Sequence, residues 1–301
     1  MAVKTVQAVI NGQTHTLTYN STTKKYEATI TAPSASSYNQ NGHYYNVQVK
    51  ATDEAGNTAT KDATDATLGS SLQLRVKEKV APTISITSPA SASLIINNKP
   101  SIKWTVTDAD SGVDPDTIKL VIDSTTITSG ITKTQSGKNY TCSYTPATAL
   151  SDGEHTIKVS ASDYDGNEAT QKSITFKIDT VPPTLSVSSP SDGLVTNNNK
   201  VTVAGTTNDT TSSPVTLTIK LNGGSAQTVE VGSDGSFSKE LTLASGSNTI
   251  VIVATDGAGK SSTVTRTIEL DQTAPVIQSV SITPNPVNAG TTYTISVEVT
   301  D

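Results

Sequence analysis

One turn signature, written three times, constrains the fold of this chain more than any other feature. It reads Ala51-Thr52-Asp53-Glu54-Ala55-Gly56-Asn57, then Ala161-Ser162-Asp163-Tyr164-Asp165-Gly166-Asn167, then Ala254-Thr255-Asp256-Gly257-Ala258-Gly259-Lys260. Each copy follows an alternating apolar run and precedes another, which is the pattern of a β-hairpin. The Asp carboxylate can bond the turn's own amides, and the Gly supplies positive φ. Three copies predict three repeats of one module.

A second element marks the joints between modules. Lys79-Val80-Ala81-Pro82-Thr83-Ile84 returns as Thr180-Val181-Pro182-Pro183-Thr184-Leu185 and as Gln272-Thr273-Ala274-Pro275-Val276-Ile277. The aligned prolines stand 101 and 92 residues apart, from 82 to 183 to 275. A period of about 100 residues, filled with short alternating runs and turn signals, predicts an immunoglobulin-like sandwich. Proline cannot donate to a sheet ladder, so it suits a linker that becomes an edge strand, and it stiffens the joint. Composition agrees: Thr, Ser, Val and Ile dominate, with aromatics at 4% and charged residues at 16%. β-branched side chains favour a half-buried pleated surface. No stretch sustains apolar residues at helical spacing, so the expected helix content is close to nil.

The fold class expected is therefore all-β, with tandem immunoglobulin-like β-sandwiches arranged as a rod. Boundaries fall at 1–80, 81–180, 181–272 and 273–301. Residues 81–180 make a whole module, in which alternation through Ile102-Lys103-Trp104-Thr105-Val106 turns Trp104 inward. Cys142, on one face with Tyr140 and Tyr144, reads as a small core residue. Residues 181–272 repeat the plan. Residue 1 falls where the second module has Asp116-Thr117, so 1–80 lacks its first two strands, and an insertion lies around 61–69. Residues 273–301 hold only the first strands of a fourth module. Modules of about 35–40 Å would give a rod on the order of 110 Å. Two strands cannot bury a core alone. Either the chain is cut from a longer one, or its ends exchange strands, 273–301 completing the open first module of a neighbouring chain.

Leu221-Asn222-Gly223, Asp234-Gly235-Ser236-Phe237, Gly246-Ser247-Asn248-Thr249-Ile250 and Ala254-Thr255-Asp256 together resemble the bacterial immunoglobulin-like repeat families. The version is the one found in glucodextranase-type accessory domains and bacterial surface proteins. Asp110-Ser111-Gly112-Val113-Asp114-Pro115 resembles a loop common in such repeats. The resemblance implies the sandwich fold and a spacer role in otherwise unrelated proteins; it names no activity.

The chemistry on offer is sparse. A net charge of −6 and a pI near 5.1 argue against a phosphate-binding face, which needs clustered Lys and Arg, so nucleic acid is not an expected partner. The Arg75–Lys79 stretch reads as a solvated strand edge. No run approaches the roughly 20 apolar residues of a membrane span. His15, His43 and His155 stand in no metal-ligand spacing. His155 matches Tyr45 and Asn248, each eight residues before its motif Asp, and reads as a corner residue bonding backbone at the sandwich end. Asp108, Asp110, Asp114 and Asp116, with Asp163 and Asp165, form oxygen-rich loops of the kind that hold calcium. Turn chemistry accounts for the same residues, and no catalytic, cofactor-binding or metal-binding residue is assigned. A cluster of Tyr38, Tyr44 and Tyr45 could stack on a host-surface glycan, but core and corner roles already account for Tyr26 and Tyr45. A paired-carboxylate glycosidase is dropped for want of a cleft.

The function expected is structural: a non-catalytic spacer or decoration component of a bacteriophage virion or phage-tail-like particle, partnered by other virion proteins. Met1-Ala2-Val3-Lys4-Thr5-Val6 has no basic stretch followed by an apolar one, which favours that setting over export. The alternative is a stalk segment of a secreted bacterial cell-surface protein or adhesin, partnered by cell-surface proteins or a glycan.

Overall fold

Alternation of apolar and polar side chains builds nearly everything in this protein. The computed structural model describes residues 2–301, which divide into two compact units, Met1–Ile178 and Asp179–Asp301. Among the described residues the helices are short 3-10 turns at Ser37–Asn39, Asn41–His43 and Gly69–Leu72. No helix there is long and apolar enough to cross a membrane.

The first unit begins with an antiparallel sheet in the order Lys25–Glu27, Gln13–Asn20, Val3–Ile10, Tyr45–Asp53, Thr58–Lys61. Gln73–Leu74 pairs with the start of the Tyr45–Asp53 strand. Asn11 and Gly12, both at positive φ (46° and 75°), close the first hairpin in the geometry that matches strand twist. The insertion around 61–69 is capped by Asp65, whose carboxylate takes the Lys61 ammonium and the amides of Thr67 and Leu68. Those contacts, Lys61 first, hold its pKa down to about 2.

Residues 83–178 then form two facing sheets. One has the order Thr125–Ile127, Val113–Ile122, Gly153–Asp163, Lys172–Ile178, Leu94–Ile95. The other runs Thr132–Ser136, Asn139–Tyr144, Ile102–Thr107, Thr83–Ser88. Ile102, Trp104 and Val106 are fully buried against Leu120, Ile157, Val159 and Phe176. Each such side chain contributes about 1.5–3 kcal/mol by leaving water. Cys142 is buried in the same core, and burial pushes its thiol up to about 11 despite Lys133.

The second unit repeats the layering. A sheet of Thr184–Ser189, Lys200–Asn208 and Ser236–Thr242 faces one of Leu194–Thr196, Ser261–Leu270, Gly246–Thr255, Thr216–Leu221 and Gln227–Val229. Val203, Leu217, Ile219, Ile250, Ile252 and Ile268 fill the space between. Gly205 is required by close approach: a Cβ there would lie 2.0 Å from the Ser186 carbonyl oxygen and 2.8 Å from the Phe237 ring. Strands Val276–Thr283 and Thr294–Thr300 pair as a hairpin whose apolar pairs, Val280 with Val297 and Ile282 with Ile295, stay exposed. Two facing sheets, antiparallel except where Leu94–Ile95 pairs with Lys172–Ile178 and Leu194–Thr196 with Ser261–Leu270, make the class all-β and immunoglobulin-like.

Candidate functional site

The three turn signatures fold alike. In each, the first Asp accepts the backbone N–H four residues on at 2.8 Å: Asn57 to Asp53, Asn167 to Asp163, Lys260 to Asp256. Gly56, Gly166 and Gly259 take φ of 89°, 90° and 82°. Lys260 preserves the turn because the bond needs only its amide.

What differs is the company each Asp keeps. Asp163 is 2% exposed, and one of its oxygens lies within 4.8 Å of oxygens from Glu78 and Asp108. Asp256 is 5% exposed and shares a similar cluster with Asp179 and Asp209. The two triads occupy corresponding positions. Glu78 and Asp179 each stand four residues before the joint proline, at Pro82 and Pro183, and Asp108 and Asp209 directly follow the corresponding strands Ile102–Thr107 and Lys200–Asn208. Ser111 and Ser212 also correspond, each three residues beyond that Asp.

Backbone amides do most of the orienting. The Asp108 Oδ1 accepts from the amides of Asp110 and Gly112, at 3.0 and 2.7 Å. The Asp209 Oδ1 accepts from Thr211 and Ser212, at 2.8 and 2.7 Å. Glu78 Oε1 accepts from the Ser111 amide at 2.8 Å, and the Ser212 hydroxyl donates to Asp179 Oδ2. Asp108 Oδ2 and Asp256 Oδ2 are buried with no hydrogen-bond donor among the described residues. The ion pairs among those residues, Lys61–Asp65, His155–Asp123 and Lys200–Glu240, involve none of the six carboxylates.

The other loop acids do different work. Asp165 accepts the Glu78 amide at 3.0 Å, and its carbonyl takes the Lys77 ammonium at 3.0 Å. Asp110 accepts from the Ser36 amide at 2.9 Å and from the Asn39 side chain. Asp114 caps the amide of Asp116. Lys77-Glu78 is therefore docked onto the following sandwich, where the sequence reads as a solvated edge. The tyrosines separate as well. Tyr38 stacks on Tyr164 at 5.1 Å and 15°, Tyr45 is buried with its hydroxyl donating to the Ala35 carbonyl at 3.1 Å, and the Tyr44 ring lies over Gly42.

The histidines do not converge. His15 sits in the Gln13–Asn20 strand, and His43 packs on Tyr38 at 4.6 Å. His155 Nε2 meets the Ser151 carbonyl at 2.8 Å and Nδ1 meets Asp123 at 3.0 Å. Burial pulls its pKa down, but the Ser151 carbonyl and the Asp123 carboxylate together outweigh burial and raise it. Asn248 holds the same corner by donating to the carbonyls of Ala244 and Gly246, at 2.7 and 2.8 Å.

Residues 90–180 match the family described as bacterial Ig-like domain, and residues 183–272 match glucodextranase, domain B. Bacillopeptidase F of Bacillus subtilis (strain 168) is 34% identical over 128 residues, which is 42% of this chain and 8% of that protein. Among solved structures, a three-domain immunoglobulin fragment of titin aligns with 89% of this chain and 88% of its own at 12% identity and a TM-score of 0.47. A structure described for host cell surface retention of a bacterial ice-binding adhesin aligns with 90% of this chain and 87% of its own, at 20% identity and a TM-score of 0.33. Residues 90–180 and 183–272 are immunoglobulin-like domains in tandem, each similar to one of these two families.

Proposed function

We propose that this chain is a non-catalytic spacer in a secreted or cell-surface bacterial protein. The observation that carries the reading is the docked joint: Lys77 and Glu78 are bonded to Asp165 and Ser111 of the sandwich they lead into, so the connection is a fixed contact rather than a free tether. A joint of this kind holds the two modules it links at a set distance. The identity to a stretch of bacillopeptidase F supports modules that accompany an activity carried elsewhere in a longer protein. A virion decoration component would use the same mechanics and is the second reading. Immunogold labelling separates the two: label on the envelope of the producing cells supports the first, and label confined to purified phage particles overturns it in favour of the second.

Strand addition belongs to the same proposal. The apolar pairs of the 276–300 hairpin are exposed, and a neighbouring copy's residues 1–80 would offer a sheet to cover them. Light scattering of the full chain should show self-association that is lost when residues 273–301 are removed. A monomer indifferent to that removal refutes strand exchange.

A further inference from the structure

We propose that the two carboxylate triads, Glu78-Asp108-Asp163 and Asp179-Asp209-Asp256, each bind one calcium ion. The inference goes beyond the spacer reading and does not depend on it. Calcium takes oxygen ligands at about 2.3–2.6 Å, so two oxygens on one ion stand up to about 5 Å apart. Each triad offers three oxygens all within 4.8 Å of one another. One coordination shell spans that set.

Charge decides what the space must hold. Five of the six carboxylates are less than a tenth exposed or at that limit: Asp108 8%, Asp163 2%, Asp179 0%, Asp209 9%, Asp256 5%. Three anions this close and this dry repel strongly unless something positive sits among them. No Lys, Arg or His is paired with any of them among the described residues.

The unpartnered oxygens point the same way. The amides of Asp110 and Gly112 occupy Asp108 Oδ1, so Oδ2 is the oxygen left for the triad, and it has no donor. The Lys260 amide likewise occupies Asp256 Oδ1, and Oδ2 has no donor. A buried carboxylate oxygen without a donor costs free energy unless a cation supplies the missing contact. One such oxygen occurs in each triad, at different positions of the set, so the orphan is a property of the triad and not of one loop. Hard carboxylate oxygens without thiolate or imidazole select calcium over zinc or copper. The ion would tie three separate segments together at each site: the residues leading into the sandwich, the loop after Ile102–Thr107 or Lys200–Asn208, and the repeated hairpin turn.

The test uses the full chain, stripped with EDTA, dialysed and titrated with calcium chloride by calorimetry, with magnesium chloride in parallel. Two calcium ions per chain are expected, one in Asp108→Asn or Asp256→Asn, and none in the double variant. Asparagine keeps its Oδ1 on the turn amides, and matching far-UV circular dichroism confirms that each variant is folded. Calcium at a hundredfold excess over Kd should raise the melting temperature of the unsubstituted chain by on the order of 10 °C. In EDTA the single variants should melt higher than the parent, since an amide replaces one of three repelling charges. No calcium uptake by the folded parent, two ions retained by the folded double variant, or magnesium bound as tightly as calcium would each overturn the assignment. The parent's EDTA-to-calcium melting shift reads the same question without substitution, and no shift overturns it.

Discussion

The turns at Asp53 and Asp163 are nearly the same object in two settings. Both accept the amide four residues on at 2.8 Å, and both take the side-chain amide of that Asn, at 3.0 Å for Asn57 and 2.7 Å for Asn167. At Asp53 nothing more happens: the carboxylate faces solvent, and Asn57, side chain first and backbone next, lowers its pKa. At Asp163 the carboxylate is closed in, with Glu78 and Asp108 beside it. Local sequence writes the turn, and the segments that arrive from elsewhere decide whether its aspartate is only a cap or part of a cluster.

The largest effect that would break this comparison is on the buried turn. With calcium present, Asp163→Ala should cost about 3 kcal/mol in denaturant unfolding, because it removes a buried charged acceptor from the Asn167 amides and one carboxylate from the triad. Asp53→Ala should cost a small fraction of that, since water replaces the lost acceptor. Equal losses would mean that the two aspartates do the same job and that the triad adds nothing.

A smaller effect sharpens the other half of the comparison. Gly56, Gly166 and Gly259 share a left-handed φ and have open space where a Cβ would go. Alanine at each should cost about 1 kcal/mol, through backbone conformation alone. Chemical denaturation of the three variants checks it. A markedly larger loss at Gly166 or Gly259 than at Gly56 would show that the backbone too depends on what surrounds it.

The same division explains what could be read from the residues in order. Period-two alternation is local, so the strands, the inward Trp104 and the core Cys142 were legible, and so was the bond from each motif Asp to its turn. The acidic loop was legible as oxygen-rich but not as a partition. In a tight turn successive side chains diverge, which sends Asp108 into a triad, Asp110 to Ser36 and Asn39, and Asp114 to a local cap. Glu78 was missed altogether. It lies among Lys77 and Lys79 in a stretch that looks solvated, and it differs in type from Asp179, its counterpart. A signal was present: the 101-residue offset that aligns Pro82 with Pro183 also aligns Glu78 with Asp179, Asp108 with Asp209 and Ser111 with Ser212. Applied to acidic residues as well as to prolines, it pairs two members of each triad, and the turn signature pairs the third, Asp163 with Asp256, at an offset of 93.

The smallest predicted effect concerns the corner that Tyr45, His155 and Asn248 hold with three chemistries. Both nitrogens of the His155 ring face acceptors, the Ser151 carbonyl and the Asp123 carboxylate, and only the imidazolium carries two donors. The proton is therefore held more tightly in the folded chain than in the unfolded one, where the pKa is about 6.5. Its contribution is complete below about pH 6.5 and fades as the pH rises through the higher folded value. A denaturant midpoint followed from pH 5.5 to 8.5 should fall across that window, and His155→Asn should flatten the fall. Asn248 does the corner's work in the next sandwich with no titrating group, so the replacement should cost pH dependence rather than fold. An unchanged slope in the folded variant would place the pH-sensitive proton elsewhere and leave His155 as a neutral strut, equivalent to its asparagine counterpart.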